Sequence, residues 1–430
     1  MEDRSMKKVL DSENKFRCAD KNVNENKKKD SERGKLLLDR AILCAEWQVR
    51  NQVKDRQDAN RGRFIRSYDQ ATGQTALTGN WQTGTALMAL LAVYRRTGDA
   101  RYLEAADFAG HYLMSLQVMD QSEKYYGAIR EITPQSIEFA PRDATSAAWA
   151  FVWLYNFTGN ETYLKRAILF AEFHLKYCMC EGWPMYACYM DNALDDFYAR
   201  GSFQSGTGLF YHDLFMASGD PRYIAQGLRP IADNYCKYFI CEDGSLGQER
   251  EIFTWQTKES ASKQENVHIR MHMFNDDFGV PMLQAAAEIF KDENFRLAAL
   301  RFVRWLAVNL PKHYEKIDSA LPMGAMYFSD FGHRYKDQKL LDACEWAVET
   351  LLKTQYLNTG DSKLDGAFHG SYEGPPGATG GGKCCINNRT TSYSLIALIR
   401  LENEPENIWL GGRNRKFIDP LTLGMHKLVW

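Results

Sequence analysis

Tyr94-Arg95-Arg96-Thr97-Gly98-Asp99-Ala100-Arg101-Tyr102-Leu103 is a phrase the chain uses three times. It returns as Tyr155-Asn156-Phe157-Thr158-Gly159-Asn160-Glu161-Thr162-Tyr163-Leu164, and again as Phe215-Met216-Ala217-Ser218-Gly219-Asp220-Pro221-Arg222-Tyr223-Ile224. The central glycines recur at intervals of about sixty residues. A repeat of that length, with helical patterns on both sides of a short turn, is the signature of stacked helical hairpins. Gly98 stands where a helix needs a left-handed C-cap, and Asp99 can cap the helix that follows.

The segment before the turn, 85–94, is apolar nearly all the way round and must be buried on most sides. The segment after it, 102–116, is amphipathic: Tyr102, Leu103, Ala106, Ala109 and Leu113 are set against Glu104, Asp107 and His111. The same inner-then-outer pairing follows in 144–155 with 163–177 and in 206–216 with 223–239. Weaker copies pair 280–290 with 295–306 and 325–335 with 340–352. A last inner-type helix over 390–401 and an early outer-type helix over 35–53 complete six pairs. Six inner helices ringed by six outer ones predict an all-α closed toroid, the (α/α)6 barrel. An open solenoid also pairs helices, but its repeats are shorter and more uniform, about 33–47 residues. The long, aromatic, irregular inter-repeat segments here suit loops on one face of a closed ring.

No linker interrupts the hairpins, so 35–430 reads as one toroidal domain. Residues 1–34 are dominated by Lys, Asp, Glu and Asn and read as a mobile polar segment. The formal net charge of −2 gives no basic excess for nucleic acid, and no apolar run approaches a membrane span. No secretory signal is visible, and the ten cysteines form no short regular framework, which predicts a cytoplasmic protein with reduced thiols.

In such a ring the inner-helix starts surround the central cavity. They carry Trp81 and Gln82 in Asn80-Trp81-Gln82-Thr83-Gly84, Arg142 and Asp143 in Pro141-Arg142-Asp143-Ala144, and Gln204 in Gly201–Gly206. The others carry His272, Asp276 and Asp277 in the 271–279 segment, then Leu321-Pro322-Met323-Gly324, then Cys384-Cys385-Ile386-Asn387-Asn388-Arg389. Aromatic rings beside amides and acids match a carbohydrate site. Asp143, Asp276 and Asp277 are candidate catalytic acids, because glycoside hydrolysis commonly needs two carboxyl groups across the scissile bond. The bland reading of each is a helix N-cap. One cap does not need two adjacent acids, and neighbouring acids repel, so one of Asp276 and Asp277 can stay protonated. Glu131, in the loop before Asp143, is a further candidate, with Tyr126 beside it on the rim. Arg130, Arg142, Arg270, His268 and His272 supply cations to the same face, which suits a uronic acid or simply neutralises the rim acids.

No metal or cofactor is expected. Cys384-Cys385 has no further ligands at zinc spacing, and the glycine-rich run 374–382 lacks the ending of a phosphate-binding loop. His111, His174 and His212 fall within helices as packing or surface residues.

The repeated Thr/Ser-Gly-Asp/Asn turns, with Asn80-Trp81-Gln82-Thr83-Gly84 and Pro141-Arg142-Asp143-Ala144 opening inner helices, resemble the six-hairpin glycosidase superfamily. Within it the chain looks most like bacterial uronic-acid-acting hydrolases, the β-glucuronidase family and more distantly the unsaturated glucuronyl hydrolases. The latter use aspartates at the mouths of two inner helices. Asp143 matches one by position, while the other falls near Trp81-Gln82, where this chain has an amide. That departure argues against hydration of an unsaturated uronate and leaves the second acid to Asp276, Asp277 or Glu131. The β-L-arabinofuranosidase branch uses a zinc-bound cysteine with a cysteine pair. Cys384-Cys385 is similar to that pair, but its Glu-x-Cys partner is missing.

The resemblance implies an exo-hydrolase removing a terminal uronic acid from an oligosaccharide or glycoconjugate, retaining or inverting. An epimerase or lyase using His272 and Tyr126, and a non-catalytic sugar-binding ring, are the alternatives. Because each repeated turn closes an inner helix, it marks the end of the ring opposite the expected site.

Overall fold

The computed structural model describes residues 32–185, 188–189, 197–199, 201–247, 252–254, 276–314, 319–370 and 384–402. Among the described residues the twelve α-helices are α1 (Glu32–Arg50), α2 (Asn80–Thr97), α3 (Ala100–Ser115), α4 (Pro141–Thr158), α5 (Glu161–Phe173) and α6 (Thr207–Ser218), followed by α7 (Arg229–Tyr238), α8 (Gly279–Phe290), α9 (Glu293–Asn309), α10 (Ala320–Tyr335), α11 (Gln338–Lys353) and α12 (Asn388–Glu402). Even-numbered helices form the inner ring and odd-numbered ones the outer ring. The last inner helix, α12, packs against both α1 and α2, which closes the circle as an (α/α)6 toroid. Inner helices are buried nearly all round: every residue of α4 from Ala144 to Asn156 is buried. No described helix is long and apolar enough to cross a membrane.

The repeated phrase makes the turn its residues dictate. Gly98, Gly159 and Gly219 sit at φ 72°, 69° and 77° and donate to the carbonyls of Tyr94, Tyr155 and Phe215. Asp99 and Asn160 then cap the next helices by accepting from the backbone N–H of Arg101 and Thr162. The fourth and fifth turns reach the same left-handed conformation without glycine, at Lys291 and Lys336. The repeated tyrosine ties neighbouring outer elements together. The hydroxyls of Tyr102, Tyr163 and Tyr223 donate to Glu46, Asp107 and Glu172 at 2.8, 2.6 and 3.1 Å.

A second repeat appears at the opposite ends of the outer helices. Gln52, Gln117 and Gln355 each follow an outer helix and form a single β-bridge with Phe64, Ile129 and Phe368. Each glutamine amide donates to a glycine carbonyl of its own loop (Gly62, Gly127, Gly366) and to a carbonyl of the adjacent outer helix (Ala105, Arg166, Arg40). The third copy joins the end of α11 to α1, so it also fastens the ring shut. These glycines sit at φ 89°, 99° and 103°, against the backbone of that adjacent helix. The spacing Gln-x9–10-Gly-x-Phe/Ile is legible in the sequence once this function is known.

The mouth is reinforced by short antiparallel strands. In the largest sheet β1 (Ile65–Asp69) lies between β2 (Thr75–Leu77) and the strand Cys384–Asn387, with Ser67 opposite Asn387 and Tyr68 opposite Ile386. This links the rim segments that precede α2 and α12. Strand β3 (Glu138–Phe139), before α4, pairs with β4 (Cys188–Tyr189).

The two glycine classes should behave differently. Gly98→Ala meets open space and carries only the left-handed penalty, about 1–2 kcal/mol. Gly127→Ala adds a Cβ 2.6 Å from the Leu169 carbonyl and should cost clearly more. Denaturant midpoints of the two variants check the order, and equal losses would contradict the second repeat.

Candidate functional site

The residues that open the inner helices meet at one end of the ring. Asp276 and Asp277 precede α8, where Asp277 and Phe278 hold φ values of 44° and 72°. Two consecutive non-glycine residues with positive φ are costly and persist only where the surroundings fix them. Gly206, at the start of α6, gives the room: a Cβ there would lie 2.4 Å from the Asp277 carbonyl oxygen. Phe278 is buried edge-on to Trp149 and Tyr393, at ring distances of 5.7 and 5.0 Å.

The two adjacent acids have separate work. Asp276 accepts from the Val280 N–H and, at 2.9 Å, from the Tyr327 hydroxyl on α10. It therefore anchors the start of α8. Burial pushes its carboxyl up to about 7, against the opposing pull of those donors. Asp277, with a side chain 1% exposed, forms a buried ion pair with Arg142 and accepts from the Tyr393 hydroxyl. Burial, rather than the neighbouring acid, is what raises Asp276.

Arg142 lies in the first turn of α4. Besides Asp277 it donates to the Phe203 carbonyl and to Asp143 Oδ1, both at 3.2 Å, and its guanidinium sits 4.5 Å from the centre of the Trp81 ring. Arg389, opening α12, stands over the same ring at 5.0 Å. An Asp277 carboxylate oxygen lies 3.9 Å from its guanidinium, and its buried Nε has no hydrogen-bond partner. Arg389 is thus a cation held in place with bonding capacity left over.

Asp143 is not an N-cap, since that position belongs to Ala140. Its side chain keeps 31% exposure, the most open of the three aspartates, and its surrounding walls still raise its pKa, opposed by Arg142 and Arg389. Glu131 lies close enough to feel it. Burial first and the Asp143 charge second push the Glu131 carboxyl well above the ordinary range. Glu131 Oε1 accepts from the Ala140 N–H at 3.0 Å, which fixes it beside the start of α4. Two interacting carboxyls, one shifted further than the other, form a donor and an acceptor for one proton.

The other sequence candidates are placed as follows. Gln82 sits in the first turn of α2 and accepts from the Gly79 N–H at 3.3 Å. Gln204 is buried, with its amide bonded to Trp183, Gly201, Pro184 and Met185. Arg130 donates to the Ser136 carbonyl at 2.6 Å. Tyr126 lines a groove of about 520 Å³ with Glu172, Phe173, Tyr177 and Arg222, on the outer wall of the ring. Arg270, His268 and His272 lie outside the described residues. Sequence reading placed Arg389 and Phe278 in rim segments without giving them a role, and passed over Tyr393 and Tyr327. Arg389 and Tyr393 are four residues apart on one helix, which puts both on the face turned to Asp277.

Two outcomes test this arrangement. Asp277→Asn removes the buried anion of the Arg142 guanidinium, leaves it only the partly exposed Asp143, and should cost about 3–5 kcal/mol of stability. Adding Arg142→Met should recover much of that loss, and a fully stable Asp277→Asn protein would refute the pairing. Folded Asp276 titrates near 7 and an ordinary aspartate near 3.8, so its proton favours the folded state between those values. That contribution is complete below about 3.8 and is lost as pH rises through about 7. Wild type should therefore lose stability relative to Asp276→Asn across that window, and parallel melting curves would refute it.

No family model matches the chain, and no curated protein matches it in sequence. Solved structures do match. Cellobiose 2-epimerase from Spirochaeta thermophila DSM 6192 aligns with TM-score 0.64 and 14% identity, over 86% of this chain and 96% of its own. An unsaturated glucuronyl hydrolase specific for heparin aligns with TM-score 0.64 and 16% identity, over 85% and 96%. The unsaturated glucuronyl hydrolase from Bacillus sp. GL1 aligns with TM-score 0.63 and 16% identity, over 85% and 97%. The chain therefore has the (α/α)6 toroid fold, which it shares with a sugar epimerase and with unsaturated glucuronyl hydrolases alike.

Proposed function

We propose that this chain is a glycoside hydrolase that releases a terminal uronic acid by carboxyl acid/base catalysis. The Glu131–Asp143 pair carries the reading. Glu131, whose carboxyl is pushed well up, is the protonated general acid, and Asp143, on the more open side, is the base or nucleophile. Arg389, with unfilled bonding capacity beside Trp81, is the partner for the substrate carboxylate. Arg142 and Asp277 hold this group in register from below. The carboxyl pair differs from the one the sequence favoured, because Asp276 and Asp277 already have buried partners.

Fold likeness to a cellobiose 2-epimerase supports a second reading, epimerisation of a sugar. The Tyr126 expected to assist His272 in such a reaction stands in the outer-wall groove, which weakens that form of it.

One assay separates the two. Incubation with aryl β-D-glucuronides should release the aglycone, whereas an epimerase would leave them intact and exchange solvent deuterium into cellobiose. Glu131→Gln should lower turnover by about 10²–10⁴-fold for a poor leaving group. It should cost far less for a dinitrophenyl glycoside, which departs without a proton. Asp143→Asn should fail with both. Loss of Glu131 that is blind to the leaving group would sink its role as the acid.

A further inference from the structure

Glu131 lies in a loop outside helix and strand, yet three successive carbonyls there are held by other elements. The Arg130 carbonyl accepts from the Asn80 side-chain amide at 3.2 Å, the Glu131 carbonyl from the Asn80 backbone N–H at 2.9 Å, and the Ile132 carbonyl from the Tyr112 hydroxyl on α3 at 2.7 Å. Asn80, fully buried as the first residue of α2, therefore grips both peptide groups that flank the Glu131 α-carbon. Its own amide oxygen accepts from the Trp81 N–H, which fixes the pose that presents the amide donor. The preceding residue fits the same purpose. Gly79 sits at φ −85°, a value open to any residue, so its backbone does not call for glycine. Contact does: a Cβ there would lie 3.0 Å from the Glu131 carbonyl oxygen. At its other end Glu131 accepts through Oε1 from the Ala140 N–H, so the residue spans from the start of α2 to the start of α4.

We propose that Asn80 is a positioning residue for the general acid, with Gly79 leaving it room to close on the Glu131 main chain. This rests on Glu131 being that acid. In hydrolysis the Glu131 proton passes to the glycosidic oxygen as the C1–O bond breaks, and the alcohol leaves with it. Water supplies the hydroxyl at C1, and the remaining water proton restores the carboxyl pair. The transfer requires the carboxyl to lie within hydrogen-bond reach of the departing oxygen. A carboxyl on an unbraced loop would hold that position only part of the time. Asn80 acts on it through the Glu131 backbone.

Asn80→Ala keeps the backbone N–H bond and removes the side-chain one. Assayed well below its melting temperature, it should lower kcat/KM about 10–100-fold for phenyl β-D-glucuronide and by less than about threefold for the 2,4-dinitrophenyl compound. The sugar is the same in both, so a disturbance of Trp81 would weaken both alike. Burial and the Asp143 charge hold the Glu131 carboxyl well up, and a loosened Glu131 loses part of both. The basic limb of the phenyl pH profile should therefore move to lower pH. Gly79→Ala, which removes no hydrogen bond, should give the same two signatures. In a Glu131→Gln background Asn80→Ala should have no further effect on the phenyl compound. An equal loss on both substrates, no loss on either, an unmoved basic limb, or a further loss in the Glu131→Gln background overturns the proposal. If Glu131→Gln is itself blind to the leaving group, or wild type cleaves neither compound, the general-acid reading falls as well. If Glu131→Gln is selective and Asn80→Ala is not, only the positioning role falls.

Discussion

Arg142 and Asp277 form a buried ion pair on which the inner ring converges. Trp81 of α2 covers the guanidinium, α4 supplies Arg142 itself, and the Phe203 carbonyl just before α6 accepts from it. Asp277 leads into α8, and α12 adds Tyr393 and Arg389 around its carboxylate. The remaining inner helix, α10, reaches the neighbouring Asp276 through Tyr327. Burying two charges costs several kcal/mol per ion, which only close geometry and further hydrogen bonds offset. Such a pair adds little net stability, but it penalises any arrangement in which one partner is absent. Here it makes the relative placement of the inner-helix starts a single condition.

That condition explains the strained backbone beside it. Asp277 can reach both Arg142 and Tyr393 because the chain passes through two positive-φ residues before entering α8. The missing Cβ of Gly206 lets it pass. Rigidity from the periphery keeps the strain from relaxing. Tyrosine hydroxyls join neighbouring outer elements after the turns, and glutamine amides join them again near the mouth. The centre is held by charge and the wall by repeated hydrogen bonds.

Environment then sorts four carboxyl groups by task. Asp276 is a buried anchor and Asp277 a buried counter-ion, both consumed by structure. Burial raises both Glu131 and Asp143, and the Asp143 charge adds to the shift of Glu131. The Arg389 guanidinium opposes the rise at Asp143, so a cation stands near the same pair.

The sequence by itself determined the ring. Glycine at a left-handed cap, an acid after it, and buried against amphipathic periodicity are local rules, so six hairpins and the segments that open the inner helices could be read directly. It also named Asp143, Glu131, Arg142 and Trp81 as rim residues, because these open inner helices or stand in the loop before one. The glutamine–glycine repeat was written there too, but its meaning lies in contacts with another helix. Which acids share a proton was decided only by the tertiary structure, because burial and charge at a side chain come from residues far away in the chain. Arg142 and Asp277 are separated by more than a hundred residues, and Tyr393 by a further hundred. No spacing rule relates them, and only closure of the ring brings them together.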